Sequence, residues 1–560
     1  MKHNYKSYLT RISFVVFMFV AWSYAVCAQN VVEYMNFRQK QPFKINGSFS
    51  ANATQFSSNP KQSRQPFTYQ LSGSVNMSLY ELLNIPVSFN LNNYGSHFSY
   101  PSLPNRLSLH PTYKWIRTHI GDVSMSFNPY TLNGHQFTGI GVELSPGKWQ
   151  FAAMGGRLLK SVETDSLNPA LQPNFERWGY GMKIRYETPK FSIGGTFFTA
   201  KDKHEHISFD ADALGINPKG NIAIGLEGSL SIVKNLKLSV DYGMSIMQRD
   251  LRVKQKSHYH AFNSELTYSF LGNTIGVGYN RIDPDYETLG AYYFNNDYEN
   301  ITLNYSRTLF ESKLSLALSG GLQRDDLSGE KQEKNKRFVG SVHLNFTPND
   351  KFSSTFSASS FQSHRNIKSS FDYINERTPY DNLDTLQFTQ LNNSLDLNLT
   401  WLLRQSETQT HTLSANAGYQ EAADKQGDYI MPGNLTRFLN LDTQYGIDFT
   451  PHDFSVNAGI NISNNYKASK NLLTAGPILT CTKRMLKKSL TTGLTLSFNQ
   501  THEKGKRIAT IYNARWYAGY RFCKRHVLNA NVSYQHRLFS ESLSTTSSSL
   551  TSQISYSYSF

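Results

Sequence analysis

The chain has 560 residues, of which 39% are hydrophobic and 17% charged, and a formal charge of +15; its mean hydropathy of -0.46 is that of a water-soluble protein. Three cysteines are too few for a disulfide-built scaffold, and beyond the first 21 residues no stretch approaches the 18 consecutive apolar residues of a membrane-spanning helix. Aromatic residues make up 13% of the chain, 33 Tyr and 36 Phe against 6 Trp, which suits exposed strand faces and interfacial girdles.

The amino terminus reads as an export signal. Lys2, Lys6 and Arg11 precede an apolar run from Ile12 to Ala21, and Val26-Cys27-Ala28 offers small residues for cleavage after Ala28. The apolar run is nearer ten residues than the ~20 of a spanning anchor. Cys27 as an acylated lipoprotein cysteine is disfavoured by the poor match of Tyr24-Ala25-Val26 before it. Residues 1–28 are therefore expected to be removed, lowering the charge by three to +12, and 29–43 to form a short periplasmic segment. The remaining basic residues are scattered through strands, turns and loops, which favours solvated lumen and turn charge over a dedicated polyanion site. Anionic solutes or lipopolysaccharide phosphates are the better partners for that excess, and nucleic acid is not expected.

From residue 44 onward the pattern has a period of two. Residues 301–305, 395–399, 439–449 and 528–534 alternate apolar with polar in segments of about the length a tilted strand needs to cross hydrocarbon. Short turns rich in Pro, Gly, Asn and Asp fall at 145–148, 187–190, 233–235, 271–273, 310–313, 347–350 and 450–453. Longer polar stretches lie between them at 160–176, 201–220, 282–296, 362–386 and 421–436. Tight turns at one end and long loops at the other predict a transmembrane antiparallel up-and-down β-barrel over 44–560, all-β, with about 26 strands and a range of 22–28. Before residue 145 the turns are less clean, and Pro101, Pro104 and Pro111 could mark a segment folded into the lumen. With only 29–43 ahead of the first strand, an amino-terminal plug domain is not expected.

The last eleven residues alternate without an error, with Leu550, Ile554, Tyr556, Tyr558 and terminal Phe560 on one face and Thr551, Gln553, Ser555, Ser557 and Ser559 on the other. This ending resembles the closing strand of bacterial outer-membrane β-barrels, whose aromatic terminus is the signal read by the insertion machinery; the resemblance places the protein in the cell outer membrane and gives Ile554, Tyr556, Tyr558 and Phe560 that signalling role. The runs 121–134 (GDVSMSFNPYTLNG) and 280–296 (NRIDPDYETLGAYYFNN), with Gly321 to Leu327, are similar to segments of large, poorly characterised outer-membrane barrels of Bacteroidota, a family that brings no catalytic or binding residues to transfer. Read physically, Pro129, Gly134, Pro284 and Gly290 suit ordered loops at the outer rim, with Arg281, Asp283, Asp285 and Arg324 available for loop-to-loop pairing.

Charged strand faces should line the lumen, because a cation facing mid-bilayer lipid costs ~2–4 kcal/mol. Arg177, Lys183, Arg185 and Glu187 share one face of their strand, as do Arg515 and Arg521 of theirs. As a charged pathway they would serve a solute; as ordinary wall structure, which the pattern favours, they would pair with Asp442, Asp448, Asp396 or Asp241. His204/His206 and His258/His260, with Asp202, Asp210 and Asp212 near the first pair, lack a third ligand at a recognisable spacing, so no metal is expected. No HExxH, G-x-S-x-G or phosphate-cradling loop is present, and neither a cofactor nor an enzymatic activity is predicted. Cys481 and Cys523 are expected on strands that run the same way with a third between them, too far apart for a disulfide.

About 26 strands without a plug domain leave a wide hole, and this mismatch carries the functional expectation: a conduit or docking frame for a large solute or polypeptide, plugged by loops or by a partner such as a lipoprotein or a secreted chain. The alternatives are a surface scaffold or adhesin with a packed lumen and binding loops, and, more remotely, an outer-membrane lipase or protease.

Overall fold

The computed structural model describes residues 42–560 apart from 62–64, 94–105, 164–172, 205–210, 213, 293–295, 326, 330–335, 361–390, 427–428, 468–469 and 541–545. The leader and its cleavage site, Pro101, Pro104, His206, Asp210 and the expected 362–386 loop lie outside the described residues. Twenty-seven strand segments, from β1 (Phe43–Asn59) to β27 (Ser547–Ser559), form one antiparallel sheet. β4 (Arg106–Leu109) and β5 (Thr112–Tyr113) share a single wall position, both paired to β3 (Leu83–Asn92) on one side and β6 (Ile116–Ser126) on the other. The barrel is therefore a closed cylinder of 26 strands. Pro111 sits at the break between β4 and β5; lacking an N–H, it interrupts a wall strand instead of leading a segment into the lumen.

Closure is made by β1 against β27, in register from Ser48↔Ser559 to Asn59↔Ser548. Phe560 extends it, exchanging two backbone hydrogen bonds of 3.0 Å with Gly47. All seven expected short turns fall between strand pairs, at the end of the barrel that carries both ends of the wall. The stretch 421–436 is not a loop: β20 (Gln409–Gln426) and β21 (Tyr429–Phe449) continue through it as a ladder to Gln426↔Tyr429. Pro432 and Gly433 fall in the irregular stretch between Ala423↔Leu435 and Lys425↔Ile430, where the ladder does without their hydrogen bonds.

Alternation sorts the side chains between two surfaces. Ile140, Met182, Ile193, Leu226, Leu303, Ile460 and Ile554 are exposed on the outside, each beside a neighbour that points inward. An apolar belt of this extent is stable only against lipid. At the short-turn end it is edged by rings: Trp149 lies 4.8 Å from Tyr186, Phe522 5.0 Å from His526, His526 4.6 Å from Tyr558, and Tyr558 5.6 Å from Phe560. Such a girdle marks a membrane–water boundary.

Cys481 and Cys523 are both free, Cys481 on β23 (Lys470–Met485) and Cys523 in the turn after β25 (Lys506–Phe522), with β24 (Leu490–Glu503) between them. Cys481 pairs in register with Leu494 on the apolar outer face, whereas Cys523 is exposed in its turn. Maleimide should therefore label Cys523 much faster than Cys481 in folded protein, and unfolding should equalise the two. Equal rates before unfolding would put the register of β23 in error.

Candidate functional site

Two of the connections opposite the short turns fold into the cylinder. The first, 127–132, joins β6 to β7 (Asn133–Leu144); the second, 283–292, belongs to the connection from β14 (Asn273–Ile282) to β15 (Tyr298–Leu309). Phe127-Asn128-Pro129-Tyr130-Thr131-Leu132 closes on itself: the Phe127 N–H donates to the Leu132 carbonyl (2.8 Å), and the Asn128 side-chain oxygen accepts from the Tyr130 N–H (2.9 Å). The Asn side chain supplies the turn that the ring of Pro129 begins. In the second segment the Tyr286 N–H bonds the Asp283 carbonyl at 3.2 Å, and Asp285 takes a left-handed backbone conformation. Tyr286, Thr288 and Leu289 are buried.

The two segments hold each other. The Tyr286 hydroxyl donates to the Tyr130 carbonyl (2.7 Å), the Thr288 hydroxyl to the Thr131 carbonyl (2.8 Å), and the Asn133 N–H to the Gly290 carbonyl (2.9 Å). Burial pushes the phenols of Tyr130 and Tyr286 well above the ordinary tyrosine range, so both stay protonated. Gly290 is required at its place, because a Cβ there would stand 2.5 Å from the Thr131 carbonyl oxygen and 3.0 Å from the Leu132 Cα.

The wall is shaped to receive them. On β12 (Leu236–Gln248), a Cβ at Gly243 would fall 2.2 Å from the Tyr130 Cβ and 2.8 Å from the Tyr286 hydroxyl. Asn221 of β11 (Gly220–Val233) donates to the Ser245 hydroxyl (2.7 Å) and accepts from the Leu289 N–H (3.2 Å). Inward Phe198, Ala223 and Met247 meet Leu132 and Leu289 in an apolar core. The expectation of rim loops is thus corrected: 127–132 and 283–292 meet inside the barrel, since their apolar side chains find an apolar wall there that water at the rim would not offer, and their hydroxyls are paired within the packed interior. Of the four residues expected to pair loops, Asp285 does so, with Arg249 at 3.3 Å; Arg324 pairs with Glu299 of the adjacent strand, and Arg281 lies 3.7 Å from Asp283.

Beside this internal plug lie the first group of expected lumen charges. On β9 (Glu176–Glu187), Tyr180, Met182 and Ile184 are exposed outward. On the opposite face Lys183 donates to the Phe127 carbonyl (2.5 Å) and to Glu227 (2.9 Å), and Arg185 lies 3.3 Å from Glu227 and 3.6 Å from Glu187. Arg177 forks onto Asp202 of β10 (Phe191–Lys203) at 2.7 and 3.0 Å. The acids in ion-pair range of these cations are Asp202, Glu227 and Glu187; of the four acids expected from the sequence, Asp241, in register with Glu227, acts on Lys183 and Arg185 at longer range, whereas Asp442, Asp448 and Asp396 do not meet them. Sequence reading missed Glu227, although its place next to outward Leu226 puts it on the inner face.

The second group stands apart, across the lumen. Arg515 bonds the Asn531 side-chain oxygen (3.1 Å) and, like Arg521, is exposed on the inner face of β25, whose outer face carries Tyr512, Trp516 and Tyr520. Asp442 is buried and accepts from Gln444 (2.9 Å), and Asp448 lies 3.9 Å from Arg484. Around this half the inner wall is built of cross-strand hydroxyl pairs, such as Ser50/Ser72 at 2.7 Å and Thr474/Thr501 at 2.9 Å. Of the histidine pairs, His260 meets the Tyr242 hydroxyl at 2.8 Å, and among the described residues no group of three metal-ligating side chains occurs.

No protein-family model and no curated protein matches the chain. Solved structures with a similar barrel include the P pilus usher (PapC) translocation pore, at 9% identity and a TM-score of 0.42 over 92% of this chain and 99% of that one. They also include a ferric enterobactin receptor (PfeA) from Pseudomonas aeruginosa, at 9% identity and a TM-score of 0.37 over 92% and 80%. The siderophore receptor PirA from the same organism scores 0.36 at 10% identity, again over 92% and 80%.

Proposed function

We propose that the chain is a non-enzymatic outer-membrane β-barrel that serves as a conduit or docking frame for a large solute or a polypeptide. The apolar belt and its aromatic edge support the lipid setting, with outer-membrane lipid and lipopolysaccharide as its surroundings and the Ile554–Phe560 face as the part offered to the insertion machinery. The observation that carries the reading is the asymmetry of the lumen. Two short segments fill the side walled by the strands from β6 to β14, while Arg515, Arg521, Asn529 and Gln553 stay exposed on the inner face of the opposite side.

A circular cylinder of 26 strands ~4.8 Å apart and tilted ~40° would be roughly 50 Å across, far wider than two short loops can fill. A surface scaffold with a sealed lumen would cover those inward polar groups. A plugging lipoprotein or secreted polypeptide is the partner that suits a cylinder which, among the described residues, is filled on one side only.

In planar bilayers the purified barrel is expected to give large, stable conductance steps, or steps that appear once a co-purifying partner is stripped away. A silent barrel that brings no partner from native membranes would sink the proposal.

A further inference from the structure

The lumen carries a cationic site that the plug does not use. Near the short-turn end, the inner faces of β24, β25, β26 (His526–Phe539) and β27 enclose a cavity of about 590 Å³ into which Arg515, Arg521, Lys488, Asn529, Asn531 and Gln553 project. Lys488 lies 3.3 Å from Asp453. Neither arginine has a carboxylate within ion-pair range among the described residues, and the only hydrogen bond among them made by the Arg515 guanidinium, from Nε to Asn531, leaves its two terminal nitrogens for another acceptor. This is unlike the plug side of the same barrel, where Arg177, Lys183 and Arg185 are each matched to an acid.

The charge continues onto the rim below. Arg484, Lys487, Lys524 and Arg525 gather on or beside the two turns that flank the cavity, against Asp448 and Asp453. A line of cations running from the rim up the inner wall attracts a negatively charged chain and offers fork-shaped donors that suit carboxylates. The lining also chooses between kinds of chain. Asn529, Asn531 and Gln553 provide amide donors and acceptors that match a peptide backbone. Tyr517, whose hydroxyl is tied to Thr482 at 2.7 Å, is the one ring, so the cavity offers little aromatic surface for stacking sugars.

We infer that this cavity binds an acidic, extended polypeptide segment entering from the short-turn, periplasmic end. The inference deepens the conduit or docking-frame reading and rests on it. The test uses the full-length barrel in a zwitterionic detergent and a fluorescein-labelled ten-residue oligoglutamate, followed by anisotropy. The expected result is saturable binding that weakens with salt, exceeds that of oligoserine, and falls by about tenfold or more in the Arg515→Gln/Arg521→Gln protein. Arg515→Lys/Arg521→Lys, which keeps the charge and loses the fork, should bind more tightly than the Gln variant and less tightly than wild type. Asn529→Asp/Gln553→Glu, which keeps both arginines, should weaken binding as well, with heat-modifiable gel migration confirming that each variant is folded.

Binding that is unchanged by the arginine replacements, equal for oligoserine, or abolished by Lys487→Gln/Lys524→Gln alone would overturn the site. A barrel that conducts but does not bind oligoglutamate overturns the inference and leaves the conduit standing. A silent barrel that binds it supports the inference.

Discussion

Replacing Gly243 by leucine is expected to unseat both inward segments and to raise the conductance of a barrel that is otherwise intact. The added Cβ alone would stand 2.2 Å from the Cβ of Tyr130 and 2.8 Å from the Tyr286 hydroxyl. Tyr130 cannot step aside cheaply, because its N–H is held by Asn128 and its carbonyl by Tyr286. Overpacking of this kind costs ~1–3 kcal/mol, and each ~1.4 kcal/mol changes the ratio of seated to unseated loops tenfold. The penalty falls on the loops rather than the wall, since β12 keeps its ladders to β11 and β13 (Ser257–Phe270).

Tyr286→Ala should act in the same direction from the loop side by emptying a fully buried site, at ~3–5 kcal/mol for loss of a large aromatic. Gly228→Ala is the control: it lies on the same wall, where a Cβ meets only the Ser192 carbonyl oxygen at an ordinary 3.6 Å. Single-channel recording and protease cleavage at 127–132 should change together in Gly243→Leu and Tyr286→Ala and in neither respect in the control. Unchanged conductance with the loops cleaved would mean that the plug does not limit the path.

The cylinder was legible in the sequence because its rule is local. Period-two alternation and Pro-, Gly- and Asn-bearing turns are set by neighbours along the chain, and they account for the 26 wall positions, the placement of the short turns and the closing strand. The inward fold of 127–132 and 283–292 was not legible, because the direction a loop takes depends on the wall it meets. Val123, Met125 and Phe127 continue strand-like alternation into the connection and give no sign that their side of the wall is dry. The cause lies up to 166 residues away (289 − 123), in Phe198, Gly243 and Leu289. The charged faces were legible as faces but not as pairs: Lys183 reaches Glu227, and Arg177 reaches Asp202, across strand pairings that composition does not encode. The 13-residue strand β10 shows the limit well, since its Phe197 faces lipid and its Phe198 the plug.

Arg177→Met should destabilise the barrel more than the loss of both partners does. The Asp202 side chain is 3% exposed and takes two bonds from the Arg177 fork and one, at 2.8 Å, from the Lys219 N–H. Removing the guanidinium leaves a buried carboxylate with a single donor, a situation that costs ~3–5 kcal/mol. Removing both, as Arg177→Met/Asp202→Leu, takes away the charge that needed compensation, and replacing such a pair by apolar groups is often neutral or stabilising by ~1–4 kcal/mol. The Lys219 N–H then loses its acceptor, at ~1–3 kcal/mol, so the double variant should fall between wild type and Arg177→Met. The order is read from the temperature at which heat-modifiable migration is lost, at one fixed heating rate because barrel unfolding is governed by its rate. If the pair is wall structure, ion selectivity in the double variant stays at the wild-type value while stability moves. If it belongs to the solute path, selectivity shifts toward anions in Asp202→Asn even where the melting temperature is unchanged.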